Sequence, residues 1–183
     1  MKCSAGVALV LGCLIAGLVA VFVVGPYWLA AVIERALHTS GIDPPPVTLE
    51  LTETMLLDDG DRALALLESL KRLGLNLAID DFGTGYSALS YLRLFPIDIV
   101  KIDRSFVHDI GAVTQDTTLV AAVIARSHGL GHRVVAEGVE TEAQHAALLN
   151  LGCDDAQGFY FARPLSTAEA TAWLRAATAR VGC

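Results

Sequence analysis

The stretch that decides the fold is Leu75-Asn76-Leu77-Ala78-Ile79-Asp80-Asp81-Phe82-Gly83-Thr84-Gly85-Tyr86-Ser87. An apolar strand ends in two adjacent carboxylates, and a loop with two glycines follows at once. Vicinal acids repel each other unless a cation or a base lies between them. Glycines allow positive φ and close approach of backbone to a ligand. Together they suggest a divalent metal beneath a phosphate-bearing substrate. The bland alternative is an Asp-rich turn, and the pair alone does not exclude it.

The same arrangement recurs along the chain. Val47 to Glu53 alternates apolar and polar, as a strand does. Residues 61–73 form a helix with Lys71 and Arg72 at its C-terminal end and Gly74 as its stop. After the strand Leu75–Ile79 come a short helix from Tyr86 to Leu94 and a strand from Ile97 to Ile102. Then follow a helix from Thr117 to His128 and a strand from Arg133 to Ala136. Thr141-Glu142-Ala143-Gln144 is a capping box that opens a helix to Leu151. A short strand from Ala156 to Phe161 precedes a second capping box, Ser166 to Glu169, and a last helix to about Ala179.

Strand and helix in regular alternation predict parallel strands with helical crossovers, hence an α/β fold. A doubly wound sheet would place a Gly-rich loop after its first strand. Here the ends of several strands carry polar groups instead: Glu50, Asp80 with Asp81, Lys101 and Glu137. That pattern predicts the mouth of a (β/α) TIM-type barrel. About five βα units are present where a closed barrel has eight, so the barrel is expected to be incomplete.

Outward from this domain the composition changes. The chain has 183 residues, 54% of them hydrophobic, and no charged side chain falls between Cys3 and Ile33. Residues 1–25 are apolar and long enough to span a bilayer, which predicts a single membrane helix, with a cleaved signal peptide as the rival. Residues 26–46 form a short helix, Leu29 to Leu37, and a connector through Pro44-Pro45-Pro46. Residues 47–183 form the catalytic-type domain. The formal charge of −7 and the lack of a Lys/Arg cluster argue against a nucleic-acid polymer as partner. An acidic protein that handles a phosphate anion needs metal ions to offset its own field. Cys3, Cys13, Cys153 and Cys183 form no C-x-x-C pair, so nothing demands disulfides or zinc.

Glu50-Leu51-Thr52-Glu53, Asp80 to Ser87, Lys101-Ile102-Asp103, Ala136-Glu137-Gly138-Val139-Glu140 and Gln157-Gly158 resemble, in order and approximate spacing, the motifs of the EAL-domain family. The resemblance runs from about Trp28 to the C-terminus. It implies a bacterial phosphodiesterase, a metal-dependent hydrolase that opens cyclic di-GMP to pGpG. By this resemblance Glu50, Asp80 and Asp81 are metal ligands in a two-metal site for Mg²⁺ or Mn²⁺. Lys101 holds the attacking water, or forms a structural salt bridge to these acids. Glu137 ligates metal or serves as base. Glu53 anchors the loop after Asp81, while Gln157 and Glu140 support substrate, water or structure. The loop from Phe82 to Ser90 implies a dimer contact.

The departures are specific. No Glu-Ala-Leu occurs, the only acid before Asp43 is Glu34, and no Asn precedes Asn76. Two expected ligands are therefore missing from these residues, and Mg²⁺, which needs near-octahedral geometry, should bind poorly. This leaves three readings: an impaired phosphodiesterase, a non-catalytic nucleotide-binding or interaction module at the membrane, and a truncated remnant. The expected location is the inner membrane with the domain in the cytoplasm, where cyclic di-GMP is expected. The charge balance around the apolar segment weakly favours the opposite orientation.

Overall fold

The computed structural model describes residues 26–41, 43–44, 47–52, 60–82, 92–110 and 114–181. Five strands form one parallel sheet: β1 (Thr48–Thr52), β2 (Asn76–Phe82), β3 (Ile99–Ile102), β4 (Arg133–Ala136) and β5 (Asp155–Ala156). The helices are α1 (Pro26–Ser40), α2 (Gly60–Arg72), α3 (Arg104–His108), α4 (Thr114–Gly129), α5 (Glu142–Asn150) and α6 (Thr167–Val181).

The spatial order β1-β2-β3-β4-β5 is the order along the chain. A doubly wound sheet reverses direction at a switch point, and this one does not. Right-handed crossovers that always step the same way place their helices on one face. The architecture is therefore a partial (β/α) barrel. Its outward strand residues Leu51, Leu77, Ile79, Val100, Ile102, Val134 and Ala136 are buried in the core. The helices meet them with apolar residues at helical spacing: Leu67 and Leu70 of α2, Val120, Val123 and Ile124 of α4, and Leu148 of α5. Ala30, Ile33 and Leu37 of α1 pack against the same core at i, i+3 and i+7.

Several boundaries differ from the sequence reading. Helix α1 starts at Pro26, where a proline fits the first helical turn because its missing N–H has no partner there anyway. Helix α3 was not expected. It is five residues long, too short for periodicity to show, and it is capped by Asp103, whose Oδ1 accepts from Ser105 N at 3.0 Å. Strand β5 ends at Ala156 rather than Phe161. From Gly158 the chain turns back, with Tyr160 N donating to Val139 O at 2.9 Å and Phe161 N to Gly158 O at 3.1 Å.

Both capping boxes form. Thr141 Oγ1 accepts from Gln144 N while Gln144 Oε1 accepts from Thr141 N at 2.9 Å. Ser166 N donates to Glu169 Oε2 at 2.9 Å, and Glu169 N returns a longer bond to Ser166 Oγ. Among the described residues no helix is long and apolar enough to cross a membrane, and the apolar segment 1–25 lies outside them. So does the expected helix from Tyr86, apart from Leu92–Leu94, which form a turn.

Candidate metal and phosphodiester site

Successive strand side chains point to opposite faces, so two adjacent acids cannot ordinarily serve one site. Strand β2 solves this with a bulge. Ile79 pairs with Val100 and Phe82 with Ile102, so three steps on β2 match two on β3. Asp81 lies in the bulge with φ +54, the left-handed region that Asp tolerates better than most residues. The bulge brings Asp80 and Asp81 into one cluster with Glu137, their carboxylate oxygens all within 4.8 Å of one another.

Lys101 lies at the centre. It projects from β3, whose register sets it opposite Val135 of β4, and it is 5% exposed. Its Nζ lies 2.6 Å from Glu137 Oε1, 2.8 Å from Glu50 Oε2 and 2.9 Å from Asp80 Oδ1. Burial alone would lower its pKa. The bonds to Glu137, Glu50 and Asp80 outweigh burial and hold the lysine above its ordinary value, so it is charged. Of the two roles read from the sequence, the salt bridge to these acids is present.

Glu137 follows β4 and is held by Lys101 and by Gln157 Nε2, which donates to the same Oε1 at 2.5 Å. Its backbone N–H donates to Ile102 O, which fixes the start of the loop. Burial pushes the Glu137 carboxyl up, Lys101 pulls it back, and repulsion from Asp80 and Glu50 pushes it further up. Asp81 is also raised, by partial desolvation first and then by Asp80 and Asp103.

Asp103 is the residue whose role the sequence reading missed. Its carboxylate lies near that of Asp81 and raises that group's pKa, and it caps α3, where the Ser105 hydroxyl donates to Oδ1 at 2.5 Å and holds its own pKa down. The signal was available: Asp103 stands two residues after Lys101, just past the end of β3, as an acid beside the other strand-end acids.

Glu140 stands apart from this cluster. Its backbone N–H donates to Gln144 Oε1 at 2.8 Å, and its exposed side chain makes no ion pair among the described residues. Glu53 and the glycine loop 83–90 lie outside the described residues.

The donor set fits a divalent cation. Hard carboxylate oxygens converge from β2 and the end of β4, which suits Mg²⁺ or Mn²⁺ more than a thiol-seeking metal. Asp80 Oδ1 is buried and ion-paired to Lys101 Nζ at 2.9 Å. A carboxylate oxygen has two lone pairs, so Asp80 can ligate a cation while it holds the lysine. Asp80, Asp81 and Glu137 could hold one cation, with Glu50 across Lys101 from them.

Known proteins are similar to this chain in sequence and fold. The cyclic di-GMP phosphodiesterase NbdA of Pseudomonas aeruginosa is 46% identical over 144 residues, which are 79% of this chain and 18% of NbdA. The EAL domain of Mycobacterium smegmatis DcpA superposes with a TM-score of 0.76 at 39% identity, covering 83% of this chain and 71% of that one. A Klebsiella pneumoniae BlrP1 complex with manganese and cyclic di-GMP gives a TM-score of 0.70 at 40% identity, covering 73% of this chain and 34% of that one. The chain spans about a fifth of the length of the curated relatives it matches. Residues 25–164 match the EAL domain family, over the same strands that carry Glu50, Asp80, Asp81, Lys101 and Glu137. With the matched span and the shared fold in agreement, this chain belongs to the EAL domain family.

Proposed function

We propose that this chain binds cyclic di-GMP and, with a divalent cation, opens one of its two phosphodiesters to give linear pGpG. The observation that carries the reading is the buried, charged Lys101 ion-paired to Glu50, Asp80 and Glu137 beside the Asp80–Asp81–Glu137 carboxylate cluster. The relative named as a cyclic di-GMP phosphodiesterase and the similar structures that hold cyclic di-GMP support the substrate class.

When bound, a divalent cation supplies Lewis acidity toward the phosphoryl oxygens and lowers the pKa of water. The chain's own groups do the rest. Asp80 and Asp81 would bind the cation, and Lys101 fixes the carboxylates that surround it. Glu137, oriented by Gln157, would complete the ligand set or take the proton from the attacking water. The water oxygen bonds to phosphorus, the bond from phosphorus to the 3′ oxygen breaks, and that oxygen leaves as a hydroxyl after taking up a proton.

We propose further that turnover is impaired. A cation held without a Glu-Ala-Leu glutamate and without an asparagine ahead of Asn76, neither of which this sequence has, has fewer protein ligands than a two-metal site provides. The same absence favours a second reading, a module that binds the nucleotide without hydrolysing it. Residues 1–25 are proposed as a single-pass inner-membrane anchor with the domain in the cytoplasm, and the loop after Asp81 as a homodimer contact.

The test is hydrolysis of cyclic di-GMP by the full chain with Mg²⁺ or Mn²⁺, against Asp80→Ala. A rate that Asp80→Ala abolishes supports the phosphodiesterase. Equal, near-zero rates with measurable cyclic di-GMP binding favour the binding module, and neither rate nor binding removes both.

A further inference from the structure

Helix α1 spends one face on the protein core, through Ala30, Ile33 and Leu37. With 3.6 residues per turn, Trp28 and Val32 fall together on the opposite face. They are 47% and 44% exposed. Arg35, also exposed, continues that face one turn later.

The sequence gives this face its context. Residues 3–25 carry no charge, and α1 begins directly after them at Pro26. The uncharged run does not stop there. It continues through the first two turns of α1 to Ile33, and Glu34 and Arg35 are the first charges after Lys2. An exposed tryptophan and valine therefore stand between the apolar stretch and the first charges of the domain. Apolar stretch, tryptophan and guanidinium follow in the order of a bilayer boundary, where Trp takes the headgroup level and a long cationic side chain reaches outward. Two apolar side chains are too few to hold a free domain on a membrane. Beside an anchor in the same chain the contact becomes intramolecular, and even a weak one is then populated.

We propose that the face of α1 formed by Trp28, Val32 and Arg35 docks on lipid. Trp28 and Val32 enter the interfacial layer and Arg35 meets the headgroup phosphates, so the domain rests on the surface along its α1 side. The proposal rests on the membrane-anchor reading of residues 1–25, and the test separates the two.

The chain has two tryptophans, so Trp173→Phe isolates the emission of Trp28 and Trp28→Phe that of Trp173. The full chain is reconstituted with vesicles of phosphatidylcholine and phosphatidylglycerol brominated high on the acyl chains, and flotation is measured on the same samples. Both variants should float. Bromine should quench Trp28 about twofold or more and leave Trp173 unquenched, since α6 follows the strand at the other edge of the sheet. In the Trp173→Phe background, Val32→Asp should lose most of this quenching and still float, because residues 1–25 are unchanged. A chain that floats with Trp28 unquenched overturns the lipid face and leaves the anchor standing. A chain that does not float overturns both. Equal quenching of Trp28 and Trp173 overturns the face, since it reports a domain that sinks without orientation. Trp28 shielded from aqueous iodide yet unreached by bromine means that a second copy or another segment covers the face, and it overturns the lipid partner.

Discussion

Replacing Lys101 by Met keeps the aliphatic stem and removes the charge that holds Glu50, Asp80 and Glu137 together. The cost can be bounded in two ways. Two carboxylate oxygens at the 4.8 Å limit of the cluster repel by roughly 3.5 kcal/mol at an effective dielectric of about 20. The cluster can relieve this by taking up a proton. Holding a carboxyl whose ordinary value is 4.5 neutral at pH 7 costs about 3.4 kcal/mol.

The two bounds agree, and they lie near the low end of the ~3–5 kcal/mol found when a buried ion pair loses one partner. The low end is apt because Glu50 and Asp80 keep side-chain exposures of 31% and 25%. For 183 residues, about 3 kcal/mol lowers Tm by roughly 6–12 °C.

The variant has a pH signature. A carboxyl raised in the folded state binds more protons there than in the unfolded chain, so stability falls as pH rises. The penalty of Lys101→Met should shrink from about 3 kcal/mol at pH 7 to about 0.7 kcal/mol at pH 5. Mn²⁺ should restore the variant's Tm more than it raises that of the wild type, because it returns positive charge to the same acids. Thermal melts at both pH values, with chelator and with Mn²⁺, decide it. A loss below about 1 kcal/mol at pH 7, or an equal loss at both pH values, refutes the charge account.

Three further outcomes follow from particular residues. Asp81→Ala and Asp81→Gly both remove the carboxylate and should weaken Mn²⁺ binding alike, measured by calorimetry. Only glycine suits φ +54, so Asp81→Gly should be the more stable of the two by about 1 kcal/mol in urea melts. Gly158→Ala forces a Cβ against the Val139 backbone and should unpin the 157–161 turn, seen as a changed near-UV signal from Tyr160 and Phe161. Asp154→Asn should cost about 1–2 kcal/mol in urea melts without changing Mn²⁺ affinity, since Asp154 Oδ2 accepts from Val134 N and His128 Nε2, each at 2.8 Å. Burial raises the Asp154 pKa, but His128 and the Val134 N–H outweigh it and hold the group below 3.8. Its contribution is therefore full above that value and lost as pH falls through the folded pKa, so wild type and variant should converge in strong acid.

The strand-end acids and both capping boxes were legible because each is a short-range chemical pattern. The parallel alternation was legible because hydrophobic period reports element type directly. The bulge was not, since it is a backbone conformation and Asp81 carries no mark of it. Helix α3 was hidden by its length, and the early end of β5 by an apolar run, Phe159 to Phe161, that leaves the sheet as a turn. Apolar residues after a strand look like more strand when only their side chains are known.

The two ends of the sheet are built on opposite electrostatic terms. At the end where β2–β5 begin, two matched clamps repeat. Asp98, just before β3, accepts from Leu77 N of β2 at 2.8 Å and pairs with Lys71 of the preceding helix, also at 2.8 Å. Asp154, just before β5, accepts from Val134 N of β4 and pairs with His128 of the preceding helix. Each clamp joins a helix end to two neighbouring strands with one carboxylate and one partner ring or ammonium. At the other end Glu50, Asp80, Asp81, Asp103 and Glu137 gather around the single ammonium of Lys101. Such an excess of acid destabilises the mouth unless a cation enters, so a divalent ion should stabilise this chain on binding. The clamps lie at the far end of the same strands, where substitution costs stability and leaves the ion's affinity alone. A Tm that Mn²⁺ raises equally in wild type, Asp154→Asn and Asp98→Asn, but not in Asp80→Ala, is the result this division of labour requires.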